Sequence, residues 1–152
     1  MFRGATALNL DGKGRMAMPT RYREEILELS EGKLVVTVDK EKCLLLYPLP
    51  EWERIEAQLI KFSSFNKRLR KLQRLYLGHA TEVEMDASGR ILLPSLLRGF
   101  AGLDKHIVLV GQGKKFELWD EAVWNAETAD CLNESDDDDD DELPPELQNF
   151  AL

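Results

Sequence analysis

Apolar positions along the chain switch between two periods. Residues 5–10 and 80–85 alternate apolar with polar side chains, the period of a half-buried strand. Each is followed by an Asp-x-x-Gly segment that turns the chain, in which Gly14 or Gly89 is free to take positive φ. The chain then resumes extended structure through Arg15-Met16-Ala17-Met18-Pro19 and Arg90-Ile91-Leu92-Leu93-Pro94. A proline at the first helical position predicts short helices over 20–29 and 95–101. Two strands close each series, 34–38 and 43–47 in the first and 107–110 and 116–119 in the second.

The two series are copies of one another. Residues 2–23 and 77–98 align at an offset of 75, with seven of 22 positions identical: Ala5/Ala80, Thr6/Thr81, Asp11/Asp86, Gly14/Gly89, Arg15/Arg90, Pro19/Pro94 and Arg23/Arg98. After a three-residue length change, 46–52 aligns with 118–124. A unit of roughly fifty residues with strands this short cannot bury enough apolar surface alone, so the copies are expected to interlock in one pseudo-twofold core.

A helical connection joins them. Pro50 marks a helix start, and Trp52, Ile55, Leu59 and Phe62 fall on one stripe. Ser63-Ser64 interrupts the pattern and can cap a second helix, whose Phe65, Leu69, Leu72 and Tyr76 share a face. The other face of that helix is basic, with Lys67, Arg68, Arg70, Lys71 and Arg74. Such a face is either solvated and paired with carboxylates of neighbouring subunits, or in contact with phosphates.

Composition narrows the classes. The 152 residues suit one domain or two half-domains sharing a core, and no apolar run approaches the ~20 residues of a membrane span. The N-terminus lacks a basic region followed by an apolar one, so no secretory signal is expected and the cytoplasm is the expected location. Cys43 and Cys131 lack metal-ligand spacing and are expected to be reduced thiols; no metal or cofactor is expected.

The net charge of −8 hides two opposed regions. Residues 127–152 carry eleven acids, among them Asp136 through Asp141, and no Lys or Arg, which leaves residues 1–126 at +3. This acidic tail is expected to be disordered, because a run of like charges repels itself and buries no apolar area. It could mimic DNA and screen the basic surface, or simply add solubility.

Asp11-Gly-Lys-Gly-Arg15 and Asp86-Ala-Ser-Gly-Arg90 each place an arginine just past a tight turn. The planar guanidinium can grip a phosphate or the O6/N7 edge of guanine with two parallel hydrogen bonds, and a β-ribbon is narrow enough to enter the major groove. Residues 1–23 are net +4, with Arg3, Lys13, Arg15, Arg21 and Arg23 against Asp11, whereas 77–98 are net −1. The first copy is therefore expected to dominate nucleic-acid contact through Arg15, Lys13 and Arg3, with Arg90 contributing from the second. The blander alternative is that the aspartates cap backbone N–H groups and the arginines pair with a carboxylate. Asp11, Gly14, Asp86 and Gly89 are structural turn residues under either reading.

Met1-Phe2-Arg3-Gly4, the two Asp-x-x-x-Arg elements, Leu45 through Trp52, Leu77-Gly78-His79-Ala80 and Lys115 through Asp120 resemble the MraZ family over residues 1 to about 125, with the acidic tail outside the resemblance. The resemblance implies an α+β fold of two tandem swapped-hairpin (AbrB-like) β units forming one pseudo-twofold barrel with linking helices. The units would occupy 1–52 and 77–124, with a helical connection over 53–76. It further implies a ring-shaped homo-oligomer, usually an octamer, associated with the nucleoid. That ring would bind short G-rich direct repeats in double-stranded promoter DNA and repress its own gene and the division and cell-wall cluster behind it. A ring presenting several weak turns to regularly spaced repeats gains affinity through effective concentration.

Two rival classes are weaker. His79 and His106 fall at non-equivalent positions outside any nucleophile, metal or phosphate-loop motif, which argues against an enzyme. An antitoxin-like interaction module acting through the acidic tail is the alternative binding function. Deleting 127–152 separates it from a DNA-binder, because partner capture would be lost while promoter binding would persist.

Overall fold

The computed structural model describes residues 1–62 and 65–133, which form an α+β fold of two antiparallel sheets and five helices. The first copy contributes β1 (Phe2–Asn9), β2 (Arg15–Ala17), α1 (Thr20–Ser30), β3 (Lys33–Val38), β4 (Leu44–Pro48) and α2 (Leu49–Ile60). Helix α3 (Lys67–Tyr76) connects it to the second copy. That copy repeats the order as β5 (Thr81–Glu84), β6 (Arg90–Leu92), α4 (Ser95–Phe100), β7 (His106–Gly113), β8 (Phe116–Asp120) and α5 (Glu121–Asn133). No helix among the described residues is long and apolar enough to cross a membrane.

The copies exchange strands. The larger sheet runs β1-β7-β8-β4-β3-β5, an order that reads the same from either end when the copies are interchanged. Strand β1 pairs with β7 of the other copy, from Phe2 opposite Gly113 to Asn9 opposite His106, and β5 pairs likewise with β3. Strands β2 and β6 form the second sheet, in which Met16 lies opposite its own repeat counterpart Ile91. Across the centre of the larger sheet Leu45 faces Glu117, flanked symmetrically by Leu44 opposite Leu118 and Leu46 opposite Phe116.

One apolar cluster draws on both copies. Met16, Ile26, Leu34 and Leu46 from the first meet Ile91, Leu97, Leu109 and Leu118 from the second, all buried. Full burial of such a side chain stabilises the fold by about 1.5–3 kcal/mol. Strand β1 begins earlier than its alternation indicates because Phe2 is buried in an aromatic group, 4.2 Å from Phe116 and 5.7 Å from Tyr22 between ring centroids. Burial also pushes the Cys43 thiol well above its ordinary range.

Local signals hold with three corrections besides Phe65, which is expected on the apolar face of the second helix but precedes α3 and is exposed. Pro19 and Pro94 occupy the N-cap rather than the first helical position, their ψ of 138° being extended. The expected cap at Ser63-Ser64 lies outside the described residues; the residue that caps α3 is Asn66, whose side chain accepts from the N–H groups of Arg68 and Leu69. The third concerns the acidic end. The chain divides into two compact units, Met1–Glu121 and Ala122–Leu152, and the second is described only as far as Asn133. Residues 127–133, assigned by charge to a disordered tail, continue helix α5. Only Glu127 and Asp130 are acidic there, spaced among Ala129, Cys131 and Leu132, so like-charge repulsion within 127–133 is too weak to oppose the helix. Asp136 through Asp141 and the remainder of the expected tail lie outside the described residues.

Candidate nucleic-acid interface

Both Asp-x-x-Gly-Arg segments fold into the same clamp. Asp11 Oδ1 accepts from the backbone N–H groups of Lys13 and Arg15, each at 2.9 Å, and Oδ2 accepts from Arg15 Nε at 2.6 Å. Asp86 does the same with Ser88, Arg90 and Arg90 Nε, at 2.9, 2.8 and 3.0 Å. The backbone closes each turn, Gly14 N–H donating to the Asp11 carbonyl and Asp11 N–H to that of Arg15, with the equivalent pair at Gly89, Asp86 and Arg90. Gly14 and Gly89 have φ of +86° and +78°, a conformation that side chains disfavour.

The hydrogen bonds fix the charge state of the aspartates. The Arg15 backbone N–H, above all, holds the Asp11 carboxyl down from 3.8 to about 2, and that of Arg90 lowers Asp86 in the same way. A carboxylate lowered on folding contributes stability that is present above its unfolded value and lost as pH falls through the folded one. The stability difference between the native chain and Asp11→Asn is therefore expected to be full above pH ~5, to shrink as pH falls through ~4 and to vanish only below pH ~2, read from urea midpoints across that range. A difference independent of pH would mean that the carboxylate charge does not hold the turn.

The ribbon joins the two clamps. In β2 and β6, Arg15 lies opposite Leu92 and Ala17 opposite Arg90. Because side chains alternate along a strand and Met16 and Ile91 are completely buried, Arg15, Ala17, Arg90 and Leu92 share the outer face. Arg15 and Arg90 are diagonal neighbours on that face, on the order of 7 Å apart. Each guanidinium is anchored at Nε, and its two terminal nitrogens have no hydrogen-bond partner among the described residues. The result is a pair of held forks on a narrow, exposed ribbon, with Lys13 exposed at the tip of the first turn.

Arg3 is elsewhere. It lies near the start of β1, six residues or about 20 Å of strand from Asn9, where the chain leaves toward the turn. Its carbonyl accepts from the Tyr22 hydroxyl. The net charge of residues 1–23 grouped it with Arg15; the extended strand separates them. The Arg21 side chain is occupied, with Nη2 on Thr6 Oγ1 and its guanidinium over the Tyr22 ring.

Sequence reasoning missed Arg23 and Arg98. Arg23 Nε donates to the Met18 carbonyl and Arg98 Nε to that of Leu93, and each guanidinium backs the turn of the other copy, Arg23 against Gly89 and Arg98 against Gly14. Backbone bonds cross in the same sense, Met18 N–H to the Gly89 carbonyl and Leu93 N–H to that of Gly14. The repeat did carry a signal, since this arginine is one of the seven identities. The histidines make structural bonds, His79 Nδ1 with the Leu75 carbonyl one turn back and His106 Nδ1 with Asn9 Oδ1 across the β1–β7 pair.

Comparison with known proteins agrees with this duplicated architecture. The family model described as "MraZ protein, putative antitoxin-like" matches twice, over residues 1–75 and 76–143, and so reaches into the acidic segment that the motif resemblance leaves out. A protein from Thioalkalivibrio sulfidiphilus is 58% identical over 137 residues, covering 90% of this chain and 91% of its own. One from Nitrosomonas eutropha is 54% identical over 154 residues, the full length of both. A third, from Methylococcus capsulatus, is 52% identical over 99% of each chain. All three bear the name Transcriptional regulator MraZ.

Proposed function

This chain belongs to the MraZ family, and from that premise we propose that it regulates transcription by sequence-specific binding to double-stranded DNA. The observation that carries the reading is the pair of carboxylate-held arginines, Arg15 and Arg90, sharing the outer face of the β2–β6 ribbon. Holding Nε leaves the terminal nitrogens of each guanidinium to meet a guanine O6/N7 edge, and anchoring in advance reduces the entropy lost on binding. Arg15 is the principal base contact, Lys13 reaches a flanking phosphate, and Arg90 adds a second fork; Arg3 stands apart from this surface.

The finer elements of the reading follow from the family. The exchange of β1 and β5 between copies supports swapped hairpins closing into one pseudo-twofold barrel. The target is a set of short G-rich direct repeats upstream of the chain's own gene, in the nucleoid of the cytoplasm, with repression of the division and cell-wall genes behind it. A ring of subunits would present one ribbon per repeat, and repeats near one helical turn apart, ~10 bp, would lie on one face of the duplex.

Fluorescence anisotropy tests it, titrating the full chain into the DNA upstream of its own gene beside a scrambled fragment. Selective binding to the upstream DNA by at least about a thousandfold, at the low end for specific recognition, is the expected result. Equal affinity for both fragments would overturn the proposal.

A further inference from the structure

Helix α3 carries a second basic surface that the ribbon does not use. Six of the chain's 20 Lys and Arg residues fall between positions 57 and 81, a stretch without one Asp or Glu in a protein of net charge −8. Five of them, Lys67, Arg68, Arg70, Lys71 and Arg74, lie on α3; all five are exposed, and none makes an ion pair among the described residues. At 100° per residue, Lys67, Arg70, Lys71 and Arg74 form one stripe about 100° wide.

The opposite side of the helix is already occupied. Leu69, Leu72, Leu75 and Tyr76 are partly buried, Leu75 against the common core. The Tyr76 hydroxyl donates to Asp39 Oδ1 at 3.2 Å, and its carbonyl accepts from Thr37 Oγ1 at 2.7 Å. Helix α3 therefore meets β3 at the Thr37 end, whereas the Asp86 turn follows the other end, where Lys33 pairs with Glu84; the two ends are about 13 Å apart along the strand.

The charge arrangement works against the isolated helix. Lys67–Lys71 and Arg70–Arg74 are like-charge pairs at i,i+4, and Lys67 and Arg68 stand at the positive end of the helix dipole. A polyanion laid along the stripe relieves both penalties. From Lys67 to Arg74 the stripe is about 10 Å long, the axial distance over which one strand of duplex DNA presents about three phosphates. With its apolar side turned to the body, α3 has no apolar face of its own to insert among acyl chains, which membrane-surface helices require.

We infer that α3 is a second DNA contact: Lys67, Arg70, Lys71 and Arg74 grip the phosphodiester backbone of double-stranded DNA without reading its sequence. This goes beyond the ribbon reading and is separable from it. Phosphate contacts release counterions, so each contact removed should flatten the slope of log affinity against log salt by about 0.9.

The test compares the native chain with Lys67→Gln/Arg70→Gln/Lys71→Gln/Arg74→Gln by anisotropy at several salt concentrations, on upstream and scrambled DNA. Glutamine keeps helix propensity, and the milder Lys71→Gln/Arg74→Gln retains a readout if the fourfold variant fails to fold. The expected result is weaker binding to both fragments by the same factor, with a slope shallower by about 3–4 in the fourfold variant and about 2 in the double one. An unchanged slope would overturn the inference, and so would a loss confined to the upstream fragment. Unchanged DNA binding with lost sedimentation on phosphatidylserine-containing vesicles would also overturn it, in favour of a lipid surface. If the native chain does not discriminate the two fragments but the variants still lose affinity for both, the ribbon proposal fails while this one stands.

Discussion

Replacing Arg15 by alanine is expected to abolish discrimination between the upstream DNA and a scrambled fragment while leaving the fold intact. An arginine fork on guanine is worth about 1–3 kcal/mol, roughly 5–150-fold per ribbon, and the factors multiply when several ribbons engage one DNA. The turn itself should survive, because the largest influence on Asp11 is the backbone N–H of residue 15, which alanine retains. Circular dichroism and assembly mass should match the native chain, and Arg15→Lys should restore discrimination only in part, because an ammonium can reach guanine O6 and N7 but lacks the planar fork that Asp11 holds in place. Retained discrimination by folded Arg15→Ala would place base reading elsewhere.

The second large effect concerns Gly14, where an added methyl should destabilise both copies at once. A Cβ there would sit 2.4 Å from Arg98 Cζ and 2.5 Å from its Nε, on a backbone with φ of +86°. The left-handed conformation costs about 1–2 kcal/mol for a side-chain-bearing residue, and pushing Arg98 aside breaks its bond to the Leu93 carbonyl, about 1 kcal/mol more. For a chain of this size the sum corresponds to a fall in Tm of about 4–12 °C by thermal denaturation. The cross-copy part is separable by a double-mutant cycle: Gly14→Ala should cost less in an Arg98→Ala background, where the clash is absent. Strict additivity would show that the two halves are not coupled at this point.

Much of this arrangement was legible in the chain and some was not, for identifiable reasons. The repeat, the strands and the Asp-x-x-Gly-Arg turns are local features, set by alternation and by which residues tolerate a tight turn. Pairing partners are not local. Alternation in residues 5–10 shows that one face of this strand is buried, but nothing in it names β7 rather than β2 as neighbour. Arg23 and Arg98 were visible as an identity, yet their role depends on the opposite copy's glycine, a contact that exists only after strand exchange. Arg3 was grouped with Arg15 by net charge, which ignores how far an extended strand carries a side chain. Helix α5 was hidden by the acids beyond it, although its position after β8 repeats that of α2 after β4.

Strand exchange also constrains how the protein comes into being. Strand β1 leaves the ribosome well before its partner β7, since Asn9 and His106 are 97 residues apart in the chain. At about 5–20 residues per second, β1 waits roughly 5–20 s before its partner has been synthesised. During that interval the first copy has neither its sheet neighbour nor the other side of its ribbon. A high share of such distant pairings slows folding, so this chain should acquire its structure late and all together rather than copy by copy. Duplication gave the protein two halves, and exchange made each half unable to finish without the other.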